Sequence, residues 1–212
     1  MWKISSLVSK ITSTLFPSRC YLCKNPGTTL CSTCIQNFGR CVDTPHLYIT
    51  SVFSFKDRNV KHVIHSIKYY HRKDLIYPLT VALVENIKNS KDNLFTSEDW
   101  VLTPIPMPRL RKYMRGYNQA ELIAKVIATI THLPIRTDIL TRKSSPKRQV
   151  GTRTRSERLS NQRNSFTTKG NVEGSSIILV DDVATTGATL DEARKILLKA
   201  GAKKVLAITI AH

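Results

Sequence analysis

The sequence predicts an α/β fold in which helices flank a parallel sheet, preceded by a small N-terminal four-cysteine module. Three observations lead to this prediction. An apolar run at residues 176–180, a helical pattern at 189–200 and a second apolar run at 205–210 form a strand–helix–strand unit, and strands connected in this way pair in parallel. Strand and helix patterns also alternate through residues 47–140. Four cysteines lie within residues 20–34.

Length and composition allow one medium domain with a small module. The 212 residues include 33 lysines and arginines against 15 aspartates and glutamates, a formal charge of +18, so we expect anionic partners. A hydrophobic fraction of 41% is enough for a packed core and excludes wholesale disorder. No run of about 18 apolar residues is present and no signal peptide is visible. The sequence therefore predicts a cytoplasmic protein without a membrane-spanning helix.

The N-terminal module has two parts. Residues 1–16 carry apolar side chains on one side at helical spacing, which predicts a helix that packs on the protein itself or lies at a membrane surface. Two CxxC pairs follow, and a tetrahedral zinc site needs four thiolates in this arrangement, although disulfides or a redox pair remain alternatives. The predicted zinc ligands are Cys20, Cys23, Cys31 and Cys34. Cys41 has no place in such a site, and we expect an ordinary thiol.

The remaining chain, residues 46–212, is predicted to form the larger domain. Its regular elements follow from period-two and helical patterns and from prolines that end strands. They are a strand at 47–55, helices at 60–70 and 75–87, a strand at 100–104, a helix at 118–130, a weak strand at 135–140, and the C-terminal unit described above.

The most informative stretch is residues 177–190. An apolar strand ends in Asp181 and Asp182, and a turn of threonine and glycine then opens a helix. Ligands of parallel sheets bind at the carboxyl ends of strands, and backbone amides at a helix N-terminus suit a phosphate. Gly187 permits a positive φ or a close approach of the backbone. Two acids beside a phosphate site must face something else, such as sugar hydroxyls or a cation.

This combination resembles the phosphoribosyl pyrophosphate (PRPP) motif of type I phosphoribosyltransferases. The resemblance implies that Asp181 and Asp182 hold the ribose 2′- and 3′-hydroxyls, and that the following loop holds the 5′-phosphate. The loop residues that correspond are Ala184, Thr185, Thr186, Gly187, Ala188 and Thr189.

The resemblance extends over most of the chain. The four-cysteine module, a helix that ends in Ile67-Lys68-Tyr69, the Pro104-Ile105-Pro106-Met107 segment, the Arg115-Gly116-Tyr117-Asn118-Gln119 segment and the C-terminal PRPP motif together resemble the ComF competence family. This resemblance implies a phosphoribosyltransferase-like fold and a role in DNA uptake during natural transformation. It also implies a protein that works with a competence helicase at the inner face of the cytoplasmic membrane.

A second anion site is expected near residue 115. Cations and a helix N-terminus come together there, and in the related transferases the loop at this place binds pyrophosphate through Mg²⁺. The resemblance assigns that role to Arg115, Gly116 and Tyr117, and Lys68 is a further candidate. The protein is then either an Mg²⁺-dependent phosphoribosyltransferase or a protein that only binds PRPP. The sequence does not distinguish between these two functions.

Most of the surplus charge lies elsewhere. Residues 136–170 contain ten basic and two acidic residues, net +8, whereas residues 171–212 contain five of each. Residues 141–165 have almost no apolar side chains, so we predict a long basic loop there. This loop either binds the backbone of single-stranded DNA or is a solvated basic loop without a nucleic-acid ligand. The candidate DNA contacts are Arg142, Lys143, Lys147, Arg148, Arg153, Arg155, Arg158 and Arg163.

Overall fold

The computed structural model describes residues 18–42, 44, 46–90, 94–95, 99–143 and 165–212. The helices within these ranges are α1 (Ser32–Gln36), α2 (Arg58–Tyr69), α3 (Ile76–Lys88), α4 (Arg109–Arg115), α5 (Gln119–Thr131) and α6 (Ala188–Lys199). The strands are β1 (Ile49–Phe53), β2 (Trp100–Pro104), β3 (Leu140–Arg142), β4 (Phe166–Thr168), β5 (Ser176–Val183) and β6 (Lys204–Ala211). The predicted helix at 1–16 lies outside the described residues.

The main sheet has the order β1-β6-β5-β2, and all its neighbouring strands are parallel. This confirms the predicted parallel sheet. β5 is a central strand, because it pairs with β2 on one side and with β6 on the other. Val180 of β5 pairs with Pro104 of β2 and with Ile208 of β6. The carboxyl ends of these strands therefore form one edge of the sheet.

Each face of the sheet has its own hydrophobic core, because side chains alternate along a strand. Ile178 and Val180 of β5 belong to the core that contains residues of α2, α3 and α5. Ile177 and Leu179 belong to a second core with residues of α6 and with Leu140 of β3. All four β5 side chains are fully buried. Helices thus flank the sheet, as predicted.

A short antiparallel hairpin, β3 with β4, lies on the α6 side of the sheet. Leu140 pairs with Thr168 and Arg142 pairs with Phe166, and both apolar side chains are buried in the second core. The predicted loop at 141–165 was therefore wrong at its start, since Thr141 and Arg142 belong to a strand. The weak strand at 135–140 was wrong over most of its length, because Ile135 makes only an isolated bridge to Leu102 and only Leu140 belongs to a strand, as the first residue of β3.

The connection from β2 to α5 contains the unpredicted helix α4. It has seven residues, none of them buried, so its apolar spacing covers too few turns for a periodicity search to detect. It ends at Gly116, which has a φ of +76°. Tyr117 follows, is buried, and donates its phenol hydrogen to the carbonyl of Ile67 near the end of α2. This contact holds the end of α2 against the start of α5.

The four-cysteine module packs on the same core as α2 and α3. Cys20, Leu30 and Phe38 are buried there, and the Phe38 ring meets that of Phe53 edge-on at 5.4 Å. Tyr21 also stacks on His62 of α2 at 5.1 Å, and its hydroxyl lies 2.7 Å from Ser66 Oγ. The module is therefore attached along the side of α2. Among the described residues, no helix is both long and apolar enough to span a bilayer.

The buried Tyr117 hydroxyl can be tested by Tyr117→Phe. The variant keeps the ring but leaves the Ile67 carbonyl without this donor, and an unsatisfied buried acceptor costs about 1–3 kcal/mol. We expect the free energy of unfolding in urea to fall by that amount. Tyr77→Phe is the matched control, because Tyr77 is 61% exposed. An equal, negligible change in both variants would contradict the role given to the Tyr117 hydroxyl.

Candidate functional site

The two adjacent acids at the end of β5 point to opposite faces of the sheet. β5 continues through both acids to Val183, so the alternation of its side chains continues as well. Asp181 follows the Ile177 and Leu179 side, toward α6, while Asp182 follows the other side, toward α2 and α5. Of the two acids that the resemblance assigns to the ribose, Asp181 lines the pocket at the end of β5 and Asp182 does not.

Asp182 is held by two neighbours. Its Oδ2 lies 3.0 Å from Lys68 Nζ of α2 and accepts a hydrogen bond from Gln119 Nε2 of α5, also at 3.0 Å. The Asp182 side chain is 11% exposed. Removing one partner from a buried pair of this kind costs about 3–5 kcal/mol. The Lys68–Asp182–Gln119 network therefore joins α2, α5 and β5, and it occupies the ammonium group of Lys68 that was expected to bind pyrophosphate.

Gln119 was not predicted as a site residue, although it ends the Arg115-to-Gln119 motif. Its Oε1 is buried and has no hydrogen-bond partner in the described part of the chain. Buried acceptors are normally satisfied by protein, water or a bound group. This oxygen lies on the side chain that binds Asp182, and it can accept a hydrogen bond from a water or from a ligand hydroxyl.

Asp181 lines a pocket at the carboxyl end of β5, together with residues 183–190. Burial raises the pKa of Asp181 to about 7, and the charge of Asp182 adds to the rise. The Asp182 amide, which donates to Asp181 Oδ1 at 2.8 Å, and the cations Lys68 and Arg142 act in the opposite direction. Asp181 therefore changes its charge near neutral pH.

Arg142 lies close enough to Asp181 for their charges to interact. Burial lowers the pKa of Arg142, and the positive charge of Arg111 lowers it further, while Glu192 and Asp181 oppose this. Its guanidinium carbon is 5.2 Å from the centre of the Phe166 ring. The sequence assigned Arg142 to a DNA-binding loop, but the residue belongs to β3 and its charge acts on Asp181, which lines the pocket.

The turn after β5 offers unused backbone donors. Gly187 has a φ of +73° and precedes α6, as its residue type predicted. Within the described chain, the amides of Thr185, Thr186 and Gly187 donate no hydrogen bond. Thr185 and Thr186 are exposed. Free amides at the N-terminus of a 12-residue helix form an environment that favours an anion.

His46 contacts this turn and was missed from sequence. Its Nε2 lies 3.3 Å from the carbonyl oxygen of Thr186, 140 positions away in the chain. A Cβ atom on Gly187 would approach two atoms of the His46 ring to 2.6 Å. The absence of a side chain at Gly187 therefore allows the imidazole to pack on the loop.

The three residues predicted to bind pyrophosphate lie at the end of α4 and directly after it, outside the lining of the Asp181 pocket. Arg115 is the last residue of α4, and its guanidinium carbon lies 5.8 Å from the centre of the Tyr69 ring. Gly116 ends the helix, and the Tyr117 side chain is buried, so only its backbone is available to a ligand. Asn118 caps α5 by accepting from the Ala120 amide at 3.1 Å. None of the three predicted residues lines the Asp181 pocket.

The four cysteines converge. Their sulfur atoms all lie within 4.8 Å of one another, with Cys20 Sγ 3.8 Å from Cys34 Sγ and Cys23 Sγ 3.6 Å from Cys31 Sγ. Four sulfurs around a zinc ion at about 2.3 Å would be separated by roughly 3.8 Å. The separations exceed a disulfide bond of about 2.05 Å, and all four cysteines are free. The donor set and its spacing fit zinc.

The predicted DNA contacts are only partly described. Arg142 belongs to β3, and exposed Lys143 follows it, with its amide donating to the Ser165 carbonyl at 2.8 Å. The other candidates, Lys147, Arg148, Arg153, Arg155, Arg158 and Arg163, lie outside the described residues.

Comparison with known proteins gives a consistent result. The family model described as "Phosphoribosyl transferase domain" matches residues 115–212. The "DNA utilization protein YhgH" of Escherichia coli strain K12 is 26% identical over 208 residues, which cover 96% of this chain and 88% of that protein. The "Competence protein ComFC" of Bacillus subtilis strain 168 is 32% identical over 152 residues, or 71% of this chain and 58% of that protein.

A solved structure is also similar. The glutamine PRPP amidotransferase from B. subtilis, complexed with ADP and GMP, is 20% identical, with a TM-score of 0.42. The match covers 63% of this chain but only 26% of that one. The sequence matches span the motif at Arg115, the PRPP-like motif at Asp181 and, for YhgH, nearly the whole chain. The chain therefore belongs to the ComF family and contains a phosphoribosyl transferase domain over its C-terminal half.

Proposed function

We propose that this protein binds PRPP, or a related phosphoribosyl ligand, in the pocket at the end of β5. The observation that carries the proposal is the turn at residues 184–189, whose free amides at the start of α6 lie next to the Asp181 carboxylate. Amides and helix dipole favour the 5′-phosphate, and a carboxylate accepts hydrogen bonds from ribose hydroxyls. The family membership supports the same ligand.

The two acids take different roles in this proposal. Asp181 contacts the ribose, and Asp182 positions α2 and α5 through Lys68 and Gln119. The backbone of Arg115, Gly116 and Tyr117 binds the pyrophosphate, with Lys68 as a nearby cation. Mg²⁺, which prefers oxygen ligands and commonly binds together with phosphates, would be held by the pyrophosphate oxygens. It would neutralise charge on the pyrophosphate.

The proposed biological role is in DNA uptake. The names of the relatives, a competence protein and a DNA utilization protein, support this role, as does the formal charge of +18. The protein then binds single-stranded DNA on the cytoplasmic side of the membrane and works beside a competence helicase. We also propose residues 1–45 and 46–212 as its two domains, with a contact between residues 1–16 and the inner membrane face as a further element.

A second candidate function is phosphoribosyl transfer. Asp181 would then orient the ribose as pyrophosphate leaves, and Arg142 beside the pocket would stabilise the departing negative charge. The nucleophile would come from an acceptor base that the site binds. The domain match favours this function, and release of pyrophosphate from PRPP distinguishes turnover from binding.

Calorimetry with Mg²⁺ and PRPP tests the ligand, and Gly187→Ala tests the loop. The φ of +73° disfavours alanine by about 1–2 kcal/mol, and the new methyl group would displace His46 from the loop. We expect at least tenfold weaker PRPP binding. Gly174→Ala is the matched control, because Gly174 has a φ of +69° with open space around it. Wild-type protein that binds no PRPP at about millimolar concentration would refute the proposal.

The pKa of Asp181 near 7 predicts opposite effects of pH on binding and stability. The carboxylate form accepts from ribose, so PRPP affinity should rise about tenfold from pH 6 to pH 8. The folded state holds this proton to a higher pH than the unfolded chain, so stability falls as pH rises from about 4 to about 7. Asp181→Asn should remove both effects, bind PRPP weakly and exceed the wild type in thermal stability at pH 8. Equal pH profiles for the two proteins would contradict this prediction.

We propose that the four cysteines bind one structural zinc ion. Protein purified without chelator should contain about one equivalent of zinc by atomic emission. Cys23→Ser with Cys31→Ser should lose the metal and several kcal/mol of stability, because metal binding contributes directly to folding. Cys41→Ser is the matched control and should retain the zinc. Less than about half an equivalent in the wild type would contradict the assignment.

A further inference from the structure

An exposed row of aromatic rings lies at the end of α2, close to the site but outside the pocket. Tyr69 and Tyr70 are 62% and 64% exposed. The His65 ring lies between them, with its centre 4.5 Å from that of Tyr69 and 5.7 Å from that of Tyr70. Tyrosines as exposed as these contribute little to a core, and the described ring contacts are with His65 and, for Tyr69, also with Arg115. Their faces are available to a flat partner.

A row of guanidinium groups continues from these rings toward the pocket. Arg115 lies over Tyr69, and Arg111 is one helical turn earlier on the same face of α4. Arg111 is close enough to Arg142 for their charges to interact, and Arg142 interacts in the same way with Asp181. We call this surface the ring–arginine strip, and it consists of His65, Tyr69, Tyr70, Arg111, Arg115 and Arg142.

The arginines of the strip form no close ion pair in the described part of the chain, although Glu192 and Asp181 act on Arg142 at longer range. Within the described ranges, none of its three arginines has a carboxylate oxygen within 4.0 Å, while Lys112 of the same helix pairs with Glu121 at 2.8 Å. Arg111 and Arg115 lie on a helix without buried residues, and the charge of Arg111 acts against that of Arg142, so the two helix arginines contribute little to the stability of the fold. A row of this kind concentrates anions at the surface.

We propose that single-stranded nucleic acid binds along the ring–arginine strip, with bases stacked on Tyr69 and Tyr70 and phosphates on Arg115, Arg111 and Arg142. The inference rests on the proposed DNA binding and identifies the surface that performs it. Unpaired bases expose flat faces that stack on aromatic rings, and arginines follow the backbone between them. In a duplex those faces are already stacked. Since the charges of Arg142 and Asp181 interact, the strand runs from the rings toward the phosphoribosyl pocket.

A membrane surface is the competing occupant. The apolar face of α4 is exposed, with Leu110, Tyr113 and Met114 between 72% and 87% accessible. These three residues follow a spacing of three and four, whereas Arg111 and Arg115 occupy a different side of the helix. The two tyrosines of the strip adjoin the arginine side, through the contact between Tyr69 and Arg115. The strip therefore combines rings with cations, which fits nucleic acid better than lipid.

The test uses fluorescence anisotropy with a labelled 20-nucleotide oligo-dT and the full chain. Tyr69→Ala with Tyr70→Ala should weaken binding at least tenfold, since alanine replaces two stacking rings. Tyr69→Phe with Tyr70→Phe should remain within about twofold of the wild type, because it keeps both rings. Tyr77→Ala, on α3 and equally exposed, should also bind normally. PRPP binding should be unchanged in all three variants.

The arginines are tested separately by salt dependence. Arg111→Gln with Arg115→Gln should lower the slope of log affinity against log salt by about 1.4, because each phosphate contact on a single strand contributes about 0.7. A strand of the same length with abasic sites should bind the wild type as weakly as normal DNA binds the alanine pair. This result would identify the bases, and not only the phosphates, as partners of the rings.

The outcomes separate the inference from the proposed function. Wild-type protein without affinity for oligo-dT would refute the proposed DNA binding itself. Wild-type binding that the alanine pair and the glutamine pair both retain would overturn the ring–arginine strip alone and leave DNA binding elsewhere on the chain. Loss of binding to phosphatidylglycerol vesicles in the alanine pair, with oligo-dT binding intact, would replace nucleic acid by a membrane as the partner.

Discussion

The alternation of side chains along β5 is the constraint on which the rest of the structure depends. A central parallel strand that is buried on both faces must supply apolar side chains to two cores at once, and Ile177 to Val180 do so. The same alternation continues for two more residues and divides the acids between the faces. The core and the site therefore depend on the same backbone geometry. A shift of register by one residue would move each β5 side chain, apolar or acidic, to the opposite face of the sheet.

Because Asp181 and Asp182 point to opposite faces of the sheet, each acid has its own set of neighbours. Asp182 lies on the face of the sheet that α2 and α5 cover, where Lys68 and Gln119 bind it. These contacts connect the end of β5 with α2 and α5. Asp181 is left on the other side, where the turn before α6 and Arg142 of the hairpin surround it. The Arg115-to-Gln119 segment contributes to this arrangement through a partly buried arginine, a helix-ending glycine, a buried tyrosine, a capping asparagine and the glutamine that binds Asp182.

The sequence could predict features that depend on neighbours in the chain. The apolar runs predicted β5 and β6, the Thr-Gly turn predicted a positive φ or a close backbone approach at Gly187, and the CxxC spacing predicted converging thiols. Other features depend on distant contacts. His46 meets Thr186 across 140 positions, and no local pattern marks it. The separation of Asp181 from Asp182 required knowing that β5 continues beyond its apolar residues. β3 and β4 have three residues each, too few for a periodicity to emerge.

The β3–β4 hairpin has a consequence for how the chain can vary. Its two strands bring Lys143 and Ser165 within hydrogen-bonding distance, so the two ends of the intervening segment are held next to each other. The entropy cost of joining two such chain ends grows only with the logarithm of the number of residues between them, by about 0.6 kcal/mol for each doubling. Folding therefore sets almost no limit on how many residues separate the two strands. Insertions and deletions can accumulate at this position while the pairing that holds Arg142 beside Asp181 is preserved.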